Sequence, residues 1–282
     1  MSTKNDYRDF LQRLKLLVSK RPDLVTMTLS NIFTMRLIGN KTHGDLAEIA
    51  IAEFVNQYMY DFRSTHVGKE LYRAKSHEED ITVFNEITSA EFPVSLKAYG
   101  VGPLQLSTDK SFKMFPRLER EGDEIIEQES IEQIFDDPAF SEFDDVNVLP
   151  LIYDEKRKRC NIMVFDYDVA KQSTKVIKRE EKARGRKHPV YHFYDEQGEY
   201  ICEVRYGDAA ANALQRGLWT HTKNATRYFN SITNGWIDYS HNLVLVELFS
   251  HALVSSDLGH SAALEKIKKD IKRLQREPGE EK

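Results

Sequence analysis

The chain has little sulfur: of its 282 residues only Cys160 and Cys202 are cysteine, with no CxxC or Cys/His spacing. That excludes a disulfide framework and a thiolate metal centre. Both cysteines sit in apolar, strand-like surroundings, and the expectation is two buried free thiols in a reducing, cytoplasmic compartment. No stretch reaches the roughly 18 consecutive apolar residues that a membrane helix needs, so no membrane partner is expected. The N-terminus, MSTKNDYRDFLQRLKLL, is charged and has neither the apolar segment nor the cleavage site of a signal peptide. There is no internal repeat and no low-complexity segment. The nine histidines form no HxH, HExxH or HNH-like spacing, and Gly100-Val101-Gly102 is followed by no Gly-Lys-Ser/Thr, which excludes a phosphate loop.

What is present is a soluble composition, 40% hydrophobic and 11% aromatic, with a strongly segregated charge. Arg117 to Asp145 holds twelve acidic residues against two basic ones, a balance of −10. Lys156 to Lys187 holds twelve basic residues against four acidic ones, a balance of +8. Despite the net charge of −5, such a chain can present a basic surface to phosphates. The alternative is two solvated faces of opposite charge with no partner.

Periodicity suggests an α/β or α+β architecture. Residues 1–62 read as helices, with HGDLAEIAIAEFVNQYM the most amphipathic; residues 63–116 change to a strand-like period. An acidic connecting segment follows at 117–148. Residues 149–260 carry four apparent strands (LPLIYDE, RCNIMVFDY, PVYHFYDE, GEYICEVRY) and a helix over DAAANALQRGLW, and 261–282 form a charged helix with a frayed tail.

The chemistry-bearing stretch is HEEDITVFNEITSAEFPVSLKAYGVGPLQLSTD, residues 77–109. A hairpin turning at Ser89-Ala90 sets Asp80 opposite Tyr99 and Thr82 opposite Lys97. Alternation then places Asp80, Thr82, Ser95, Lys97 and Tyr99 on one face. Glu86, near the turn, lies about 20 Å from Asp80 at strand rise and, like Glu91, is a poor partner for it. A carboxylate and a lysine so placed suit phosphodiester hydrolysis: the carboxylate holds Mg²⁺, and the ammonium stabilises charge building on phosphorus.

Asp80 and the Ser95-x-Lys97 triplet, with the preceding amphipathic helix that carries Glu48, resemble the PD-(D/E)xK nuclease superfamily of restriction enzymes. The sequence departs from that pattern in having Ser95 two residues before the lysine, where an acid is usual. The resemblance implies a mixed sheet flanked by helices, with Mg²⁺ held by Asp80 and a second ligand. Glu48, Asp109 and the polar Gln105 are the candidates for that ligand, Glu48 being favoured, and Ser95 and Gln105 support the site. It also implies 5′-phosphate and 3′-hydroxyl ends, and two active sites per duplex, in a homodimer or in monomers that pair on DNA.

Further on, Glu203-Val-Arg205-Tyr-Gly207 through Asn212, Gln215, Arg216, Trp219 and Lys223 resembles a segment of type II restriction enzymes that share the LKAYG…LQLST stretch. Arginine, asparagine and glutamine read guanine and adenine edges. Arg205, Asn212, Gln215, Arg216 and Lys223, with Arg186 and Lys187 just upstream, are therefore the expected DNA contacts. Thr65-His66-Val67-Gly68 resembles the His-Val dipeptide of the BisI-like, modification-dependent restriction enzymes. That implies a reader of 5-methylcytosine at GCNGC-type sites, formed by His66 and Val67. A DNA-binding protein without activity and a DNA-repair nuclease remain the alternatives.

Overall fold

The helical periodicity of the N-terminal region produces three helices, α1 (Thr3–Lys20), α2 (Asp23–Arg36) and α3 (His43–Tyr58). The structure is a computed structural model that describes residues 3–36, 43–66, 80–100, 102–106, 114–141, 148–181, 188–206, 218–242, 245–246, 265 and 269. In α1, Tyr7, Phe10, Leu14 and Val18 recur at helical spacing and are all buried, the stripe of a helix lying on a core. Asp6 in its first turn and Lys20 in its last complement the helix dipole. In α3 the buried residues Ile49, Ala50, Phe54 and Val55 make the same kind of face.

From Phe62 the period falls to two and the strands begin. They are β1 (Phe62–His66), β2 (Ile81–Asn85), β3 (Glu91–Tyr99) and β4 (Pro103–Leu106). Next come α4 (Met114–Glu119), β5 (Glu124–Ile125), α5 (Gln128–Asp136) and α6 (Pro138–Ser141). The chain continues with β6 (Val148–Asp154), β7 (Arg159–Phe165), α7 (Tyr167–Ser173), β8 (Val176–Glu180), β9 (Val190–Tyr194) and β10 (Tyr200–Arg205). It closes with β11 (Leu218–His221), β12 (Phe229–Ser231) and β13 (Ile237–Asp238). This is a mixed α+β protein, as the periodicity suggests.

The strands divide into two sheets. The first runs β1-β2-β3-β6-β7-β12, with β13 also on β7. It is mixed, because β6 lies parallel to β3 while its other pairings are antiparallel. The second, β4-β11-β10-β9-β8-β5, is antiparallel throughout. One face of the first sheet packs on the helices, with Phe62, Ile81, Val83, Phe92, Val94 and Leu96 sharing a core with Phe10 and Phe54. Its other face, at Ile152, Met163 and Phe165, joins the core that the second sheet builds from Ile177, Phe193, Val204 and Leu218.

Three expectations change here. The four apparent strands after residue 149 split between the sheets, β6 and β7 in the first and β9 and β10 in the second. Leu218 and Trp219, expected at the end of a helix, belong to β11, where Leu218 pairs with both Val204 and Leu106. Tertiary pairing overrides local helix preference at that point. The acidic segment is more than a surface connector: Ile131, Ile134, Phe135 and Phe140 are buried in the second core, and β5 pairs with β8.

The chain crosses between sheets at the β3–β4 turn, where space is tight. A Cβ on Gly100 would lie 2.5 Å from Cε2 of Tyr153, a ring only 4% exposed. Gly100→Ala is therefore expected to destabilise the protein by about 1–3 kcal/mol. An unchanged chemical-denaturation midpoint would count against the close packing. Both cysteines are buried and unpaired, and burial pushes the Cys160 thiol up to about 12. Among the described residues no helix is long and apolar enough to cross a membrane.

Candidate active site

The β2–β3 hairpin sets the site. Its register pairs Ile81 with Val94 and Val83 with Phe92, which brings Asp80 level with Ser95 rather than with Tyr99. The turn is longer than two residues because Asn85 builds it. Asn85 Oδ1 accepts hydrogen bonds from the amides of Ile87 (3.0 Å) and Thr88 (3.4 Å). The Ser89 amide donates to Asn85 O, and Ser89 adopts φ 60°, a left-handed turn position. The register moves by four residues, an even number, so the face assignment survives. Asp80, Thr82, Ser95 and Lys97 share the face opposite the helices. Pro93 lies on it too, just before β3 begins its pairing with β6 at Ser95, and so disturbs no second ladder.

Three groups converge on one oxygen of Asp80. Oδ2 accepts from the Leu96 amide at 2.6 Å and from Ser95 Oγ at 2.9 Å, and lies 3.8 Å from Lys97 Nζ. None of these contacts uses Oδ1. The carboxylate side chain is 11% exposed and that of Lys97 21%, so the pair is largely shielded yet reachable. Further along the same face Tyr99 packs against the second core. Lys97 thus stands where that cover begins.

The other proposed members of the site are more dispersed. The Glu48 backbone lies in α3, but its side chain lies outside the described residues, as does Asp109. Gln105 belongs to β4 in the second sheet, level with Trp219, because the chain changes sheets after Tyr99. Glu86 is engaged by Arg63 across the hairpin end. Among the described residues no three His, Cys, Asp or Glu side chains gather as metal ligands. Asp80 offers a hard oxygen donor, which fits Mg²⁺ in kind, since that ion is commonly held by one or two carboxylates with retained waters.

The expected DNA contacts separate as well. His66 is level with Ile81, whose side chain is in the helix-side core, so His66 occupies the sheet face opposite Asp80. Val67, Asn212, Gln215, Arg216, Arg186 and Lys187 lie outside the described residues. Arg205 Nε donates to Glu203 Oε1 at 2.6 Å and its guanidinium stacks 3.7 Å from the Trp219 ring centroid. Lys223 Nζ lies 6.0 Å from the Tyr200 centroid. These two are gathered on the outer face of the second sheet. The two charged segments meet each other: Lys178 pairs with Glu124, Lys171 with Asp136, and Arg179 with Asp123 and Glu119. Much of the positive charge in the described part of the basic segment is therefore answered within the fold.

One polar network is not foreshadowed by any histidine motif in the sequence. Glu203 is 1% exposed, between the buried Cys202 and Val204. Its Oε2 accepts from Tyr200 Oη at 3.2 Å and lies 3.1 Å from His192 Nε2. On the other side of the ring, Nδ1 lies 3.1 Å from Glu180 Oε1, a charge contact that is not aligned as a hydrogen bond. The visible signal was an acid and a histidine, each in the middle of an apolar strand sequence. Burial works against a charged imidazole, but the Glu203 and Glu180 carboxylates outweigh it and hold His192 above its ordinary 6.5.

Comparisons with protein-family models, with curated proteins and with solved structures found no match.

Proposed function

We propose that the chain is a Mg²⁺-dependent endonuclease that hydrolyses phosphodiester bonds of double-stranded DNA. The observation that supports this best is the convergence of Ser95 Oγ, the Leu96 amide and Lys97 Nζ on Asp80 Oδ2. A carboxylate fixed on one oxygen keeps the other at a defined angle, the preorganisation a metal ligand needs. Asp80 would hold the ion through Oδ1, with Glu48 the favoured second ligand. When bound, Mg²⁺ supplies positive charge to a phosphate oxygen and acidifies a water. Lys97 orients the attacking water and offsets negative charge as it builds on the phosphorane-like transition state. Ser95 Oγ donates a hydrogen bond to Asp80 Oδ2 and fixes the carboxylate's rotamer. Gln105, in the other sheet, takes no part in this reading.

Substrate choice rests on the His66-Val67 resemblance, which favours duplexes carrying 5-methylcytosine. Incubating unmodified and GCNGC-methylated plasmids with Mg²⁺ or with EDTA tests both levels. Discrete fragments from the methylated plasmid alone, abolished by EDTA, are expected. Equal cutting of both plasmids removes the modification requirement, a smear favours a repair-type nuclease, and intact plasmids throughout overturn the endonuclease reading.

A further inference from the structure

The outer face of the second sheet holds a histidine between two carboxylates from flanking strands. His192 on β9 faces Glu180 on β8 through Nδ1 and Glu203 on β10 through Nε2, each at 3.1 Å. A carboxylate only accepts, so Nε2 must carry the proton that reaches Glu203. In a neutral ring the Nδ1 lone pair would then face a carboxylate oxygen at 3.1 Å, a repulsive contact. With both nitrogens protonated, both contacts are attractive. The other charged and titratable neighbours among the described residues are themselves engaged. On β10, Arg205 Nε donates to Glu203 Oε1 and Tyr200 Oη to Oε2. On β9, Tyr194 Oη donates to Glu180 at 3.0 Å. On β8, Lys178 is level with His192, but its Nζ reaches Glu124 at 3.3 Å.

We propose that His192 is a proton-operated clasp of the second sheet. As an imidazolium it ties Glu180, the last residue of β8, to Glu203 in β10. Release of one proton to water loses the attraction to Glu180, while Glu203 stays held by Arg205 and Tyr200. Glu180 lies two residues before Lys182, with Arg184, Arg186 and Lys187 following, so the clasp closes the strand that leads into a basic stretch of the chain. It stands independently of the endonuclease reading.

The sign of the pH dependence follows. Because the folded protein binds this proton more tightly than the unfolded chain, the clasp contributes fully below about pH 6.5. Its contribution fades as pH rises through the higher folded value.

Ring ¹⁵N NMR of the full chain tests the proposal. Below its midpoint both His192 nitrogens should give protonated-type shifts, and above it Nε2 alone should. The midpoint should lie above 6.5 and fall in Glu180→Gln. Hydrogen exchange at residues 176–180, corrected for intrinsic rate, should rise through the wild-type midpoint and lose that step in His192→Gln. A midpoint at or below 6.5, or one unmoved by Glu180→Gln, overturns it. Glu180 is partly exposed at a strand end, so that variant is expected to fold. Should it not, the protonation state of the wild-type ring decides.

Discussion

Lys97→Met and Asp80→Asn are each expected to lower plasmid cleavage by about 10²–10³-fold, the usual cost of removing one charge-stabilising group from a reaction centre. The substitutions separate chemistry from folding. Methionine keeps the apolar stem that Lys97 lays along the sheet and deletes only the ammonium. Asparagine retains an oxygen for Ser95 Oγ and the Leu96 amide, now 2.9 and 2.6 Å from Asp80, but gives up the charge that would attract a cation. Thermal midpoints should therefore stay near wild type. For Lys97→Met the loss should fall on kcat with duplex affinity, measured without cleavage in EDTA, little changed, because the ammonium acts mainly on the transition state. Full cleavage by both variants would remove Asp80 and Lys97 from the mechanism.

Glu203→Ala is expected to cost about 3–5 kcal/mol of folding stability, the penalty for stranding the partners of a buried charge. The Glu203 side chain is 2% exposed and that of His192 11%. Deletion leaves Arg205, Tyr200 and the Nε2 side of His192 facing a gap too enclosed for bulk water to substitute freely. Glu180 makes a useful contrast: its side chain is 36% exposed, so Glu180→Gln should cost under about 1 kcal/mol. Urea denaturation checks the pair. The Glu203→Ala midpoint should drop sharply at an unchanged slope, and a small drop would mean that water or side-chain rearrangement replaces the carboxylate.

Local pattern carried much of the first sheet and little of the second. The switch from helical to alternating period near residue 62 was legible, and so was the shared face of Asp80, Ser95 and Lys97. The register was not, because the asparagine-built turn at Asn85 takes more residues than the two-residue turn assumed. Facial assignment survived because the displacement was even; an odd one would have turned Lys97 into the helix-side core. The second sheet depends on partners far apart in sequence, such as Leu106 with Leu218, which no local period encodes. The same blindness concealed the His192 network, whose members lie on three strands and look unremarkable one strand at a time. Charge segregation was visible, but its meaning was not: among the described residues Lys171, Lys178 and Arg179 of the basic segment pair with carboxylates of the acidic one.

The long-range pairing of β4 with β11 also bears on how the chain is made. The β2–β3 hairpin can close as soon as its own residues emerge, since its loop is short and the entropy of closure small. Strand β4 follows almost at once, yet its partner is synthesised more than 100 residues later. Over that interval Leu104 and Leu106, both buried in the finished fold, belong to a strand with no β11 to pair with. The order of synthesis thus places the hairpin carrying Asp80 and Lys97 among the early structures, and makes closure of the second sheet the late, slow step. A growing chain is exposed to edge-to-edge association until that step is complete.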